Sequence, residues 1–203
     1  AESSGLIDTL GAWVLNQACM FCAKQQQNGN SELSIAVNLS FAQFKDGNLP
    51  QIVKGALETS QLAPEHLELE LTESILADDN GNVIQQLEQI KSLGVTFAID
   101  DFGTGYSNLN YLRTFSAQKL KIDRIFINTL GFDEKDVPLV TAIISIAESL
   151  GMATVAEGIE NEAALKKITE MGCDIGQGYY WSKPVPAEQI ERLIEAQSPT
   201  NQR

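Results

Sequence analysis

The stretch Gly94–Asp101, GVTFAIDD, decides how the chain folds. It follows a helical pattern over Val83–Leu93 and ends in two adjacent carboxylates. Glycine directly after a helix is the usual C-cap, because it enters the left-handed region without a Cβ penalty. The apolar, β-rich run that comes next reads as a buried strand. The same unit recurs along the chain. Strands are predicted at Ser34–Asn38, Leu67–Leu71, Val95–Asp100, Lys119–Ile122, Ala153–Glu157 and Asp174–Gln177. Helices are predicted at Ile7–Gln26, Leu49–Ser60, Val83–Leu93, Val137–Leu150, Glu162–Met171 and Ala187–Glu195. Gly151 and Gly172 repeat the cap-then-strand signal of Gly94.

Strands and helices in strict alternation imply right-handed crossovers and a parallel sheet. A doubly wound open sheet and a TIM-type (β/α) barrel both satisfy that pattern, and the polar residues separate them. Each strand reads as apolar along its length and then ends in a group able to do chemistry: Asn38, Glu70, Asp100 with Asp101, Lys121 with Asp123, Glu157, and Gln177. A barrel brings all its strand ends to one mouth, where catalytic groups gather. An open sheet draws mainly on the strands beside its switch point. The expectation is therefore an α/β chain forming a (β/α) barrel, with about six of the eight strands present.

Composition narrows the function. The chain has 203 residues, 43% of them hydrophobic, which suits one domain over residues 1–196 followed by a polar tail, 197–203. Its formal net charge of −13 argues against a nucleic-acid polymer as partner, because backbone binding needs clustered Lys and Arg. A small anion stays open once divalent cations reverse the local field. Three cysteines make an odd set, which fits a reducing, cytoplasmic setting, with membrane tethering of a parent protein left open. Cys19 and Cys22 form a CxxC pair inside an apolar helical pattern and read as core. The single histidine, His66, precedes a strand and reads as a surface residue.

Four carboxylates at neighbouring strand ends, Glu70, Asp100, Asp101 and Glu157, would repel unless countered. Oxygen ligands of this kind suit Mg²⁺ or Mn²⁺, and Asn38 adds a neutral carbonyl oxygen. Consecutive residues at a strand end can point differently, so one of Asp100 and Asp101 could bridge two metals while the other holds the second. Such a pair, about 3.5–4 Å apart, serves in-line displacement at phosphorus. Lys121 would orient the attacking hydroxide or neutralise phosphate charge. A rival reading makes Lys121 a Schiff-base lysine. The acidic neighbourhood opposes it by favouring the charged ammonium. Asp100–Ser107, DDFGTGYS, reads as a loop passing close to metal and ligand.

The strings GLIDTLGAWVL, VNLS, LELELTES, AIDDFGTGYSNLNYL, LKID, VAEGIE and QGYYWSKP, in this order, resemble the EAL family of cyclic di-GMP phosphodiesterases. The resemblance implies hydrolysis of cyclic di-GMP to linear pGpG by a two-metal mechanism in bacterial signalling. It implies Asn38, Glu70 and Asp100 as ligands of one metal, with Asp100 bridging to a second that Asp101 and Glu157 complete. It casts Lys121 as the lysine that engages the attacking water, and Gln177 and Asp123 as substrate-facing groups. Glu73 resembles the glutamate that steadies the DDFGTGYS loop, and Glu160 a supporting acid on the AEGIE turn. Asn108 and Trp181 depart from the common serine and phenylalanine. The namesake Glu-Ala-Leu strand, with a further metal ligand, and the first barrel strand are expected upstream of residue 1, so weak or absent activity is expected of this chain alone. The resemblance also implies sensor or GGDEF domains in a parent protein. Two other expectations stand beside the enzyme: a receptor module that binds cyclic di-GMP without cleaving it, and a homodimer that covers exposed strand edges.

Overall fold

The computed structural model describes residues 7–76, 81–104, 112–113 and 115–197. Its sheet has six strands: β1 (Ile35–Leu39), β2 (Leu67–Thr72), β3 (Thr96–Phe102), β4 (Lys119–Ile122), β5 (Ala153–Ala156) and β6 (Ile175–Gly176). They lie side by side in sequence order, and every neighbouring pair is parallel. A doubly wound sheet would reverse its order at a switch point. Monotonic order means each strand is laid on the same side of its predecessor, which is the progression of a TIM-type barrel. The six predicted strands are thus all present, with ends shifted by a residue or two.

The long helices are α1 (Ile7–Gln27), α2 (Leu49–Ser60), α4 (Gly81–Lys91), α6 (Val137–Ser149), α7 (Glu162–Glu170) and α8 (Ala187–Gln197). Two short ones, α3 (Glu73–Leu76) and α5 (Arg124–Ile127), follow directly on the C-terminal ends of β2 and β4. Gly94, Gly151 and Gly172 all carry positive φ (96°, 70° and 86°), as their place after α4, α6 and α7 demands. No helix among the described residues is long and apolar enough to cross a membrane.

The core lies between sheet and helices. Leu67, Leu69 and Leu71 of β2, Phe97 and Ile99 of β3, and Leu120 and Ile122 of β4 alternate along their strands and are at most 1% exposed. Val53 of α2, Leu87 and Ile90 of α4, and Val140 and Ile143 of α6 belong to the same cluster. Cys19 and Cys22 are fully buried in it from α1, and burial pushes the Cys19 thiol up to about 11. They are packing residues. His66 is half-buried and lies beside Ser34, near the N-terminal ends of β1 and β2 and away from the strand ends where chemistry is expected.

One expectation fails. Strands β2 and β4 are not apolar along their length. They alternate, LELELT and KLKI, and the second face carries Glu68, Glu70, Lys119 and Lys121. The physical reason is that a barrel strand has two buried faces, one toward helices and one toward the barrel axis. Here the axial face is ionic.

Candidate active site

Register places the site. Cα partners on adjacent parallel strands present their side chains to one face. Asn38 pairs with Glu70, Thr72 with Asp100, and Lys121 with Val155, so Asn38, Glu70, Asp100 and Lys121 all look toward the axis. Glu157 continues that face one step past β5, and its N–H donates to Ile122 O at 3.1 Å.

Lys121 is the hub. Its Nζ lies 2.8 Å from Glu70 Oε1, 3.0 Å from Asp100 Oδ1 and 2.7 Å from Glu157 Oε1, with the side chain 5% exposed. Burial alone would lower an ammonium's pKa. Hydrogen bonds to Glu157 and Glu70 and the attraction of Asp100 outweigh it and hold Lys121 above the ordinary lysine value. A Schiff-base role needs the opposite shift, so the rival reading loses its chemistry. Burial, only partly offset by Lys121, holds the Glu157 carboxyl above the usual range.

Strand β3 ends on a distortion. Its register with β4 shifts between Ile99 and Phe102, and Asp101 takes φ 54° with its N–H donated to Asp100 Oδ1 at 3.1 Å. Consecutive strand residues ordinarily face opposite ways. The bulge and the left-handed residue undo that alternation. One ligand oxygen from each of Asp100, Asp101 and Glu157 then lies within 4.8 Å of the others. Burial, a hydrogen bond with Asp123, and the charges of Asp100, Asp123 and Glu157 push the Asp101 carboxyl up to about 6. Asp123 also caps α5, accepting from Ile125 N–H at 2.7 Å. That capping role was hidden in the sequence, although an Asp before a short apolar helix is a usual signature.

The other candidates stand further out. The Gln177 side chain is exposed, but its backbone is clamped: its N–H donates to Ala156 O (2.9 Å) and its carbonyl accepts from Ile159 N–H (3.0 Å). Gly178 allows this, since a Cβ there would lie 2.1 Å from Ile159 O. Glu73 opens α3, is buried, and accepts from Gly103 N–H at 3.4 Å through Oε2. It therefore holds the first turn of the DDFGTGYS run, whose residues 105–107, like Asn108, fall outside the described residues. Asn38 is exposed on β1, beside its register partner Glu70 on β2 and three strands from Lys121. Glu160, the last residue of the AEGIE turn, is exposed, and among the described residues it takes no ion pair.

Glu68 and Lys119 were not foreseen. Lys119 Nζ lies 2.9 Å from Glu68 Oε2, one layer below the hub on the same two strands. The signal was the period-two charge in LELEL and KLK. A groove of about 720 Å³ lies elsewhere, along Ile175, Tyr179, Trp181, Lys183, Ile190 and Leu193, with Gln177 on its wall. The carboxylates gathered around buried Lys121 lie outside that groove and form the candidate centre.

The EAL domain model matches residues 1–184. MucR of Pseudomonas aeruginosa, named a bifunctional diguanylate cyclase/cyclic di-GMP phosphodiesterase, is 44% identical over 190 residues, 94% of this chain and 28% of MucR. The cyclic di-GMP phosphodiesterase NbdA of the same organism is 39% identical over 196 residues, 97% of this chain and 25% of NbdA. The chain thus spans about a quarter of the length of these curated relatives. The solved MucR phosphodiesterase in complex with c-di-GMP has a TM-score of 0.89 at 44% identity, covering 94% of this chain and 77% of that one. With the family model running over most of its length and relatives of this similarity in sequence and structure, the chain belongs to the EAL domain family.

Proposed function

We propose that the chain carries the phosphodiesterase centre that opens cyclic di-GMP to linear pGpG in a reaction of the two-metal type. The observation that carries the reading is the gathering of Glu70, Asp100, Asp101 and Glu157 at the ends of parallel strands β2, β3 and β5, around one buried lysine. The name of MucR and its complex with c-di-GMP support the choice of substrate. Its bifunctional name and the relatives' greater length support a parent protein with additional signalling domains, such as sensor or GGDEF domains.

The donor set fits hard cations. Asp100, Asp101 and Glu157 bring oxygens close enough to share ions, and four carboxylates against one lysine leave an excess of negative charge. Glu70, Asp100, Asp101, Glu157 and the carbonyl of Asn38 would hold Mg²⁺ or Mn²⁺. When bound, such a pair supplies hydroxide at neutral pH and stabilises the leaving oxygen of an in-line displacement. Lys121 contributes a fixed positive charge beside the reacting phosphate. Gln177, its backbone clamped to the turn after Glu157, presents an amide to the substrate, and Asp123 steadies Asp101. Glu73 and Glu160 act from outside the centre, the first by tethering Gly103.

The test is incubation with cyclic di-GMP, with and without Mg²⁺ or Mn²⁺, following pGpG by chromatography. Metal-dependent pGpG that disappears in Asp100→Asn supports the reading. Binding of cyclic di-GMP without turnover at saturating metal, in this chain and in one extended upstream, would make it a receptor module instead.

A further inference from the structure

Resting on the metal-dependent reading above, we propose that Lys121 is the cluster's resident counter-ion: it occupies the carboxylate cage in the metal-free chain, and metal entry must displace it. A lysine ammonium has three N–H donors and no acceptor. Glu70 Oε1, Asp100 Oδ1 and Glu157 Oε1 surround its Nζ at 2.8, 3.0 and 2.7 Å. So placed, the ammonium is engaged by the carboxylates rather than by a substrate phosphate.

The three residues that hold the lysine are three of the five assigned as metal ligands. Mg²⁺ binds oxygen at about 2.0–2.1 Å, so an ion on any of these atoms would stand a few ångströms from Nζ, in a pocket where water screens little. A dication and an ammonium that close repel strongly. Loading is therefore an exchange in which the ion takes the oxygens and the lysine swings free. The lysine's charge also offsets the repulsion that would otherwise drive Glu70, Asp100 and Glu157 apart. It makes the lysine conditional as well: its donors become available to a phosphate only once the metals are in place.

Lys119 supplies the control. It sits two residues earlier on β4, carries the same charge, and pairs with Glu68 at 2.9 Å without touching a ligand carboxylate. Its removal changes the long-range field by a similar amount but leaves the cage alone.

The experiment is Mn²⁺ titration by calorimetry of the wild-type chain, Lys121→Met and Lys119→Met, each checked for fold by circular dichroism. Lys121→Met is expected to bind Mn²⁺ at least about tenfold more tightly than wild type, and Lys119→Met within about threefold. Equal or weaker binding by folded Lys121→Met overturns the exchange. Failure of wild type and Lys121→Met alike to bind Mn²⁺ sinks the metal reading itself and this inference with it. Should Lys121→Met not fold, the wild type decides through its Lys121 ammonium, which should give a protected ¹H–¹⁵N resonance. The resonance should shift or vanish as Mg²⁺ is added. Its persistence unchanged, while the Asp101 backbone amide reports saturation, overturns the proposal.

Discussion

Asp101 shows how a single residue reshapes a site. Its φ of 54° is uncommon for a residue with a side chain, and such conformations persist only where the surroundings over-determine them. Here the bulge against β4 and the bond to Asp100 Oδ1 do so, and two neighbouring carboxylates end up on one side. The cost appears as a carboxyl pushed up to about 6 from an ordinary 3.8. The folded chain therefore holds this proton more tightly than the unfolded one. By linkage, Asp101 contributes stability below about pH 4, and that contribution is lost as pH rises through about 6. Metal needs the ionised form, so the two effects run in opposite directions. The rise in melting temperature on adding Mn²⁺ should be small at pH 5 and large at pH 7.5, and Asp101→Asn should flatten that difference. Scanning calorimetry at the two pH values measures it; an equal rise at both would exclude Asp101 from the metal site. Asp100 and Asp101 were legible as candidates because they stand where an apolar run stops, and Lys121 because it falls near the end of a short strand. The convergence of the two aspartates was not, since no residue pattern announces a left-handed aspartate.

At the scale of elements, strands were the easiest to read and the short helices the hardest. Six short runs, most of them rich in leucine and β-branched residues and three of them preceded by Gly94, Gly151 or Gly172, gave the strands away. Glu73–Leu76 and Arg124–Ile127 are four residues each, below the length at which periodicity speaks, and they form because they leave the ends of β2 and β4. The ionic axial face was missed for another reason: in LELEL and KLKI the leucines satisfy the eye, while the alternation says that the second face differs. The lower pair, Glu68 with Lys119, is a structural ion pair with the carboxylate side chain 10% exposed and the lysine 33%. Breaking such a pair from one side leaves a charge poorly solvated, whereas removing both charges relieves each. Glu68→Leu and Lys119→Met should each cost about 1–3 kcal/mol, and the double variant markedly less than their sum. Urea denaturation of the four proteins completes the cycle; strict additivity would mean that the two side chains do not interact in solution.

For the molecule as a whole, strand order is what turns a list of residues into a site. Because β1 to β6 run in sequence order, residues as far apart as Asn38 on β1 and Glu157 just past β5 stand on one face. That much followed from the alternation of elements and the polar strand ends. What alternation could not convey is how the helical layer meets itself. Gln25 Nε2 of α1, a residue 1% exposed, donates to Glu191 Oε1 of α8 at 2.9 Å, and Lys24 lies 3.9 Å from the same oxygen. Glu191→Ala would strand that buried amide, at a cost of about 1–3 kcal/mol. The loss should register in α1 as well as in α8, read as faster hydrogen exchange in both helices. Unchanged exchange in α1 would show that the contact carries no load. Among the described residues the strands form an arc whose first and last members do not pair, yet the helices outside it are clasped. Helices α1 and α8, far apart in sequence, therefore share one fate: loosening of either should reach both in a single cooperative opening.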